Sequence, residues 1–258
     1  MPEAEKNILK KLVVDPLSVI PLFLECYADQ LRLATGTGFV VQKSNDIYLV
    51  TNWHILSGRD SITHQPSSPT GLTPDRLAIW HHIKGKLGTW GQVFVPLRKS
   101  DGSASWLELQ KDNKIMDVAL LHLSIHAEVQ TYPLDLALAD TDLVLAPSEP
   151  VSIVGFPFGL SSGGSGRFAI WKTGHIASDL DIDYSRLPVF LIDSTTKPGM
   201  SGSPVVACRI GMHRSSEGIS MGGEATRFLG VYSGRIHGES DIGMVWKPEV
   251  IRSLMSQQ

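Results

Sequence analysis

Cysteine is almost missing from this 258-residue chain, where Cys26 and Cys208 are the only two. Small secreted domains held by disulfides carry more, so no disulfide framework is read, and both residues are expected to be buried free thiols. Long apolar runs are missing too. No stretch approaches the ~20 apolar residues that span a bilayer. The opening MPEAEKNILKKLVVDPLSVIPLFLE has short apolar runs broken by Asp15, Pro16 and Pro21, with acidic residues early, which is not the order of a signal peptide. The expectation is a soluble, cytoplasmic protein with no membrane contact; a mature secreted form with its leader already cut is the alternative. Neither sign of charge is in excess. Lys and Arg total 23 against 26 Asp and Glu, a formal net charge of −3, so no basic face is implied and nucleic acid is not expected as a partner. There is no repeat, coiled coil or low-complexity tract.

What is present is an ordinary globular composition, 42% hydrophobic and 19% charged, in a chain long enough to bury a sizeable core. With 24 Gly and 15 Pro many turns are implied, and an all-β reading is favoured over a helical one. Residues 3–13 read as a short helix or a tail. From Ser18 onward, short β-rich runs alternate with turn chemistry: SVIPLFLECY, LRLATGTGFVVQ, the Ser44-Asn45-Asp46 turn, then IYLVTN. Residues 57–76 are rich in Ser, Thr, Pro and Gly and read as a surface loop. RLAIWHHI, QVFVPL, SWLELQ and DVALLHLSI are further strands, and His81 and His82 are expected on opposite faces of theirs, one outward and one packed. Residues 131–150, with three prolines, form the connector between an N-terminal half (18–130) and a C-terminal half (151–246) of a single domain. In the second half VSIVGFP, RFAIWKTGHIAS, VFLIDS, GSPVVAC, RFLGVYS and IGMVWK read as strands, and SSGGSG as a hairpin tip. A short helix closes the chain within 247–258, with Pro248 near its first turn.

Three segments carry chemistry. TNWHIL places His54 just after a strand, IMDVALLHL has Asp117 opening a strand, and KPGMSGSPVV places Ser201 between glycines in a tight turn. A serine hydroxyl is a weak nucleophile at neutral pH and needs a base to take its proton as it attacks. Imidazole suits that task, and a carboxylate can hold its tautomer and stabilise the imidazolium. The oxyanion of the intermediate needs preorganised donors, which backbone N–H groups in a glycine-rich turn can supply. The order is His, then Asp 63 residues on, then Ser a further 84 on, which divides the three between the halves and puts a site in the cleft. Asp112 is the rival carboxylate, five residues back in a polar run.

On these residues the chain resembles the trypsin-like peptidases of the chymotrypsin superfamily, in the style of the bacterial branch with HtrA-type and staphylococcal glutamyl endopeptidases. GTGFVV resembles the strand before the histidine, TNWHIL the T-x-x-H-V element, MDVALL the aspartate strand and GMSGSPVV the G-N-S-G-[GS]-P-[VL] turn. FLGVYSG resembles the strand lining the primary pocket and IGMVWK the one after it. The resemblance covers roughly residues 18–256 and implies two six-stranded antiparallel Greek-key barrels with a short C-terminal helix. It implies a serine endopeptidase acting on protein or peptide substrates, with Ser201 as nucleophile, His54 as general base and acid, and Asp117 as orienter. The N–H groups of Gly199 and Ser201 would form the oxyanion hole. Tyr232, Ser233 and Gly234 would pair with the substrate backbone, and Thr195, Thr196 and Tyr232 would line the primary pocket. The departures are informative. Met200 stands where animal digestive relatives carry an aspartate that pairs with a freed N-terminus, Thr195 replaces the acidic pocket base of trypsin, and Tyr232 replaces the histidine of glutamyl endopeptidases. A polar, uncharged or tyrosine-narrowed pocket follows, and no PDZ domain trails the core.

No cofactor and no metal is expected. His122 and His126 lie at a spacing of roughly 13 Å along a strand, and SSGGSG lacks the G-K-[ST] ending of a phosphate loop. The six tryptophans read as core rather than as a stacking platform for bases. The alternative function is a peptide-binding module of the same fold, inactive or latent until a partner orders loops such as 57–76 and 160–167.

Overall fold

The computed structural model describes residues 14–163 and 167–257. The helix or tail expected over 3–13 lies outside them, as do residues 164–166 of the SSGGSG tip, whose flanks Ser162 and Phe168 are bridged. None of the described helices is long and apolar enough to cross a membrane.

The first lobe is an eight-stranded antiparallel sheet. Its strands are β1 (Pro21–Ala28), β2 (Leu31–Lys43), β3 (Asp46–Thr51), β4 (Arg76–Ile83), β5 (Lys86–Pro96), β6 (Trp106–Lys111), β7 (Lys114–Leu123) and the short β8 (Val129–Gln130). They run in the order β5-β4-β1-β2-β3-β7-β6, with β8 against β4. The two outer strands are linked at the Arg98–Ala104 bridge. The first lobe thus carries eight strands, the short β8 among them, where six were expected. The second lobe is a closed six-stranded barrel, β10-β11-β16-β15-β12-β9. Its strands are β9 (Pro150–Gly155), β10 (Ile170–Ile176), β11 (Val189–Asp193), β12 (Pro204–Ile210), β15 (Glu224–Arg235) and β16 (Ile242–Trp246). A small exposed hairpin, β13 (His213–Ser215) with β14 (Gly218–Ser220), leaves it between β12 and β15. Helix α1 (Trp53–Ser57) follows β3, and α2 (Pro248–Met255) closes the chain with its proline in the first turn.

Strand alternation builds three apolar clusters rather than two. Val40 of β2 with Ala119 and Leu121 of β7 fills the first lobe, and Ile153, Phe190, Val205 and Val245 fill the second. The other faces of β2 and β7 are buried as well. Phe39, Val41, Val118 and Leu120 meet Val154, Phe156, Phe228, Val231 and helix α2 in a cluster between the lobes. A strand buried on both faces reads as a continuous apolar run, which is what GFVV and MDVALL are.

Two expectations change. Cys26 is buried, with its thiol on the Ile55 carbonyl and its pKa pushed up to about 12 by burial. Cys208 is exposed, because strand alternation on β12 turns it outward after the buried run Pro204–Ala207. His81 and His82 are both buried, since the end of β4 is covered on both faces. His82 meets Trp90 and Tyr132 edge-on. Burial pushes the pKa of His81 down to about 4.

Phe39 is fully buried and meets Phe228 edge-on across the lobe boundary at 5.7 Å. Phe39→Ala should lower the unfolding free energy by roughly 3–5 kcal/mol, read from urea denaturation at unchanged slope. A loss under about 1 kcal/mol would show that the lobes do not depend on this cluster.

Candidate active site

The site begins where β3 ends. Asn52 breaks the strand and precedes α1, and Gly58 ends that helix in a left-handed turn at φ 66°, donating to the His54 carbonyl at 3.0 Å. His54 is held in the first turn of α1. Its own N–H donates to Asp117 Oδ1 at 2.8 Å, while its Nδ1 lies 2.7 Å from Asp117 Oδ2. Asp117 comes from the doubly buried stretch of β7 and is 4% exposed. The Asn52 amide also donates to the Asp117 carbonyl at 2.7 Å, fixing the strand beneath the pair. A third donor to the carboxylate arrives from the second lobe, the Ser233 hydroxyl at 2.6 Å from Oδ2. With Nδ1–H given to the carboxylate, the imidazole tautomer leaves the Nε2 lone pair free to accept a proton. Asp112, the rival carboxylate, is spent elsewhere. Asp112 and Asn113 both have φ > 0, at 51° and 61°, and form the two-residue turn of the β6–β7 hairpin.

Ser201 sits in the turn before β12. Met200 N–H donates to Lys197 O at 3.2 Å and Ser203 N–H to Met200 O at 3.0 Å, winding the chain tightly around it. Gly199 and Gly202 have φ of 94° and 86°. At Gly202 glycine is required, since a Cβ would lie 1.9 Å from the Thr37 carbonyl oxygen. The turn is tied to the first lobe by Thr37 N–H on Ser201 O at 2.8 Å, and Thr37 O accepts from the Thr51 hydroxyl, three residues before His54. Ser201 is half-buried, and its Oγ makes no hydrogen bond to His54. Neither the Gly199 nor the Ser201 N–H has an acceptor among the described residues.

The residues expected at the substrate face divide. Gly202 N–H donates to Tyr232 O, and Tyr232 N–H to Ser203 O, so Tyr232 abuts the serine turn. Its buried phenol hydrogen-bonds the Thr196 hydroxyl, and its ring packs on Gly243, where a Cβ would lie 2.6 Å from Cε2. Thr195 is exposed and accepts from Lys172 Nζ at 3.0 Å. Ser233 and Gly234 lie at a bulge in the β15–β16 ladder. Sequence reasoning did not assign a part to Thr37, Asn52 or Lys172, nor the Ser233 hydroxyl to Asp117. The one available signal was Gly36-Thr37-Gly38, glycines that mark close backbone approach. Among the described residues no cluster of His, Cys, Asp and Glu is placed to hold a metal ion.

A family model described as trypsin-like peptidase domain matches residues 36–211. No curated protein matches the chain. Among solved structures, the active form of the Rv3671c protease from M. tuberculosis is similar at 17% identity. It covers 93% of this chain and 81% of that one, with a TM-score of 0.50. The serine endoprotease from Yersinia pestis is similar at 13% identity, covering 93% and 62%, with a TM-score of 0.49.

Burial lowers the pKa of His54, but the charge and hydrogen bond of Asp117 outweigh it, so the net shift is upward. Because the folded-state value is raised, the stabilisation from the pair is complete below the unfolded value of about 6.5 and fades as pH rises through the folded-state value. In a proton NMR titration the His54 imidazole should therefore change charge above about pH 6.5, and Asp117→Asn should move it lower, where burial dominates. A midpoint unmoved by Asp117→Asn would contradict this account of the pair.

Proposed function

Because the chain belongs to the family of trypsin-like peptidase domains, we propose that it is a serine endopeptidase using His54, Asp117 and Ser201. The reading is carried by the buried carboxylate that holds Nδ1 of His54 at 2.7 Å while taking a hydroxyl from the opposite lobe. In the proposed reaction Ser201 Oγ bonds to the carbonyl carbon of the scissile peptide as its proton passes to His54 Nε2. The oxyanion is held by the N–H groups of Gly199 and Ser201, which have no acceptor within the described protein. Collapse breaks the C–N bond, with His54 returning the proton to the leaving amine. Water then enters by the same route in reverse and releases the acyl group. Nucleophile and base must come within hydrogen-bond reach for the first step, an approach that commonly tightens only once substrate is bound.

The substrate is an extended protein segment lying along Tyr232–Gly234, whose bulge departs from the regular β16 ladder. The Tyr232 ring occupies the space over Gly243. The residue before the cut should then be short, and the Lys172 ammonium at Thr195 adds a positive charge where a fully uncharged pocket was expected.

A fluorophosphonate probe should label the wild type and not Ser201→Ala, and Ser201→Ala should lose at least about 10⁴-fold in kcat. No labelling of the folded wild type at pH 8 would overturn the proposal. In a peptide series varied at the residue before the cut, Ala and Ser should give the highest kcat/KM, and Tyr232→Ala should extend cleavage to Leu and Phe. A wild type that prefers Phe or Arg would overturn the account of the pocket.

A further inference from the structure

Thr37 lies outside the reacting groups, yet its hydrogen bonds govern the peptides that would carry the oxyanion donors. Its hydroxyl donates to Gly199 O at 2.7 Å and accepts from Phe156 N–H at 3.2 Å. The side chain is fully buried and comes from β2 of the first lobe, whereas both partners belong to the second. Phe156 opens a turn whose Phe158 N–H donates to Pro198 O at 2.7 Å. In a trans peptide C=O and N–H point in opposite directions. Holding Pro198 O against the 156–159 turn therefore aims the Gly199 N–H away from that turn. Holding Gly199 O on Thr37 orients the next peptide, whose Met200 N–H closes on Lys197 O. Two successive peptides are thus set through one hydroxyl, directly for Gly199 O and through Phe156 for Pro198 O. The packing leaves no slack: a Cβ on Gly199 would lie 2.4 Å from Phe156 O, and one on Gly155 would lie 2.8 Å from Thr37 Oγ1. No charged group takes part, and Met200 beneath the turn is buried.

We infer that the Thr37 hydroxyl is a positioning group for the oxyanion site, acting through Gly199 and Phe156 to keep the Gly199 N–H turned toward the substrate. The inference rests on the peptidase reading. Serine can replace the hydroxyl. Valine, nearly the same shape, cannot, and it leaves Gly199 O and the Phe156 N–H buried without partners.

The test compares wild type, Thr37→Val, Thr37→Ser and Thr141→Val on one peptide amide, with thermal unfolding measured in parallel. Thr141→Val removes a half-buried hydroxyl whose hydrogen bonds go to Leu138 O and Thr226 O and not to the serine turn. Thr37→Val should lower kcat about 10²-fold, the scale of one lost oxyanion donor, with KM within about twofold of wild type and Thr37→Ser within about fivefold in kcat. Thr141→Val should lose stability but keep kcat within about threefold. A folded Thr37→Val with wild-type kcat, or one whose whole loss is in KM, overturns the inference. So does equal loss of kcat in Thr141→Val, or failure of Thr37→Val to fold while Thr141→Val folds, since either makes the hydroxyl's part structural only. An inactive wild type instead overturns the peptidase reading, and is told apart by its lack of fluorophosphonate labelling.

Discussion

A carboxylate taken out of water must be met by donors, and everything at the centre of this molecule follows from how Asp117 is met. An ionised group at that depth is strongly unfavourable alone. Its donors are the backbone N–H and Nδ1 of His54 and the hydroxyl of Ser233, the first two from one lobe and the third from the other. Satisfying one buried charge therefore requires that α1 be in place, that β7 be buried on both faces, and that the second lobe be docked. The same contacts fix the tautomer of the histidine and raise its pKa. Stability and chemistry here are consequences of a single electrostatic demand.

The docking is made of two materials. Between the lobes lies an apolar cluster centred on Phe39, Val118, Phe156 and Phe228, which supplies most of the driving force but little direction. Direction comes from peptide groups. Thr37 N–H on Ser201 O at 2.8 Å and Gly202 pressed against Thr37 O set the separation of the two backbones. Hydrogen bonds between main-chain atoms cannot be adjusted by a rotamer change, so the turn bearing Ser201 is located by the β2 backbone.

Much of this was legible in the sequence, because period-two patterning and turn chemistry act locally. The runs GFVV and MDVALL announced strands, and the glycines around Ser201 announced a tight turn. The all-β architecture, the closing helix at Pro248 and the residue types at the site came from such signals. What was not legible depends on which faces meet. Cys208 is exposed because of its phase on β12, and a lone cysteine in VVACRI carries no mark of phase. His81 and His82 are both buried because both faces of the β4 end are covered, a fact of tertiary packing. Ser233 was assigned only a backbone pairing with substrate, and the bond of its hydroxyl to Asp117, 116 residues away, has no local trace. Thr37 was hidden in the same way, an unremarkable residue between two glycines until the opposite lobe is brought against it.

The division of Asp117's donors between the lobes has a bearing on how the protein comes into being. A ribosome delivers the imidazole and its carboxylate long before the hydroxyl of residue 233. Until the last strands emerge, water stands in for that hydroxyl at the carboxylate, and the nascent first lobe presents Phe39, Val41, Val118 and Leu120 as a sticky, uncovered face. Completion of the second barrel covers that face and replaces the water with the hydroxyl in one step, so the half-made chain is the species most in need of protection from aggregation.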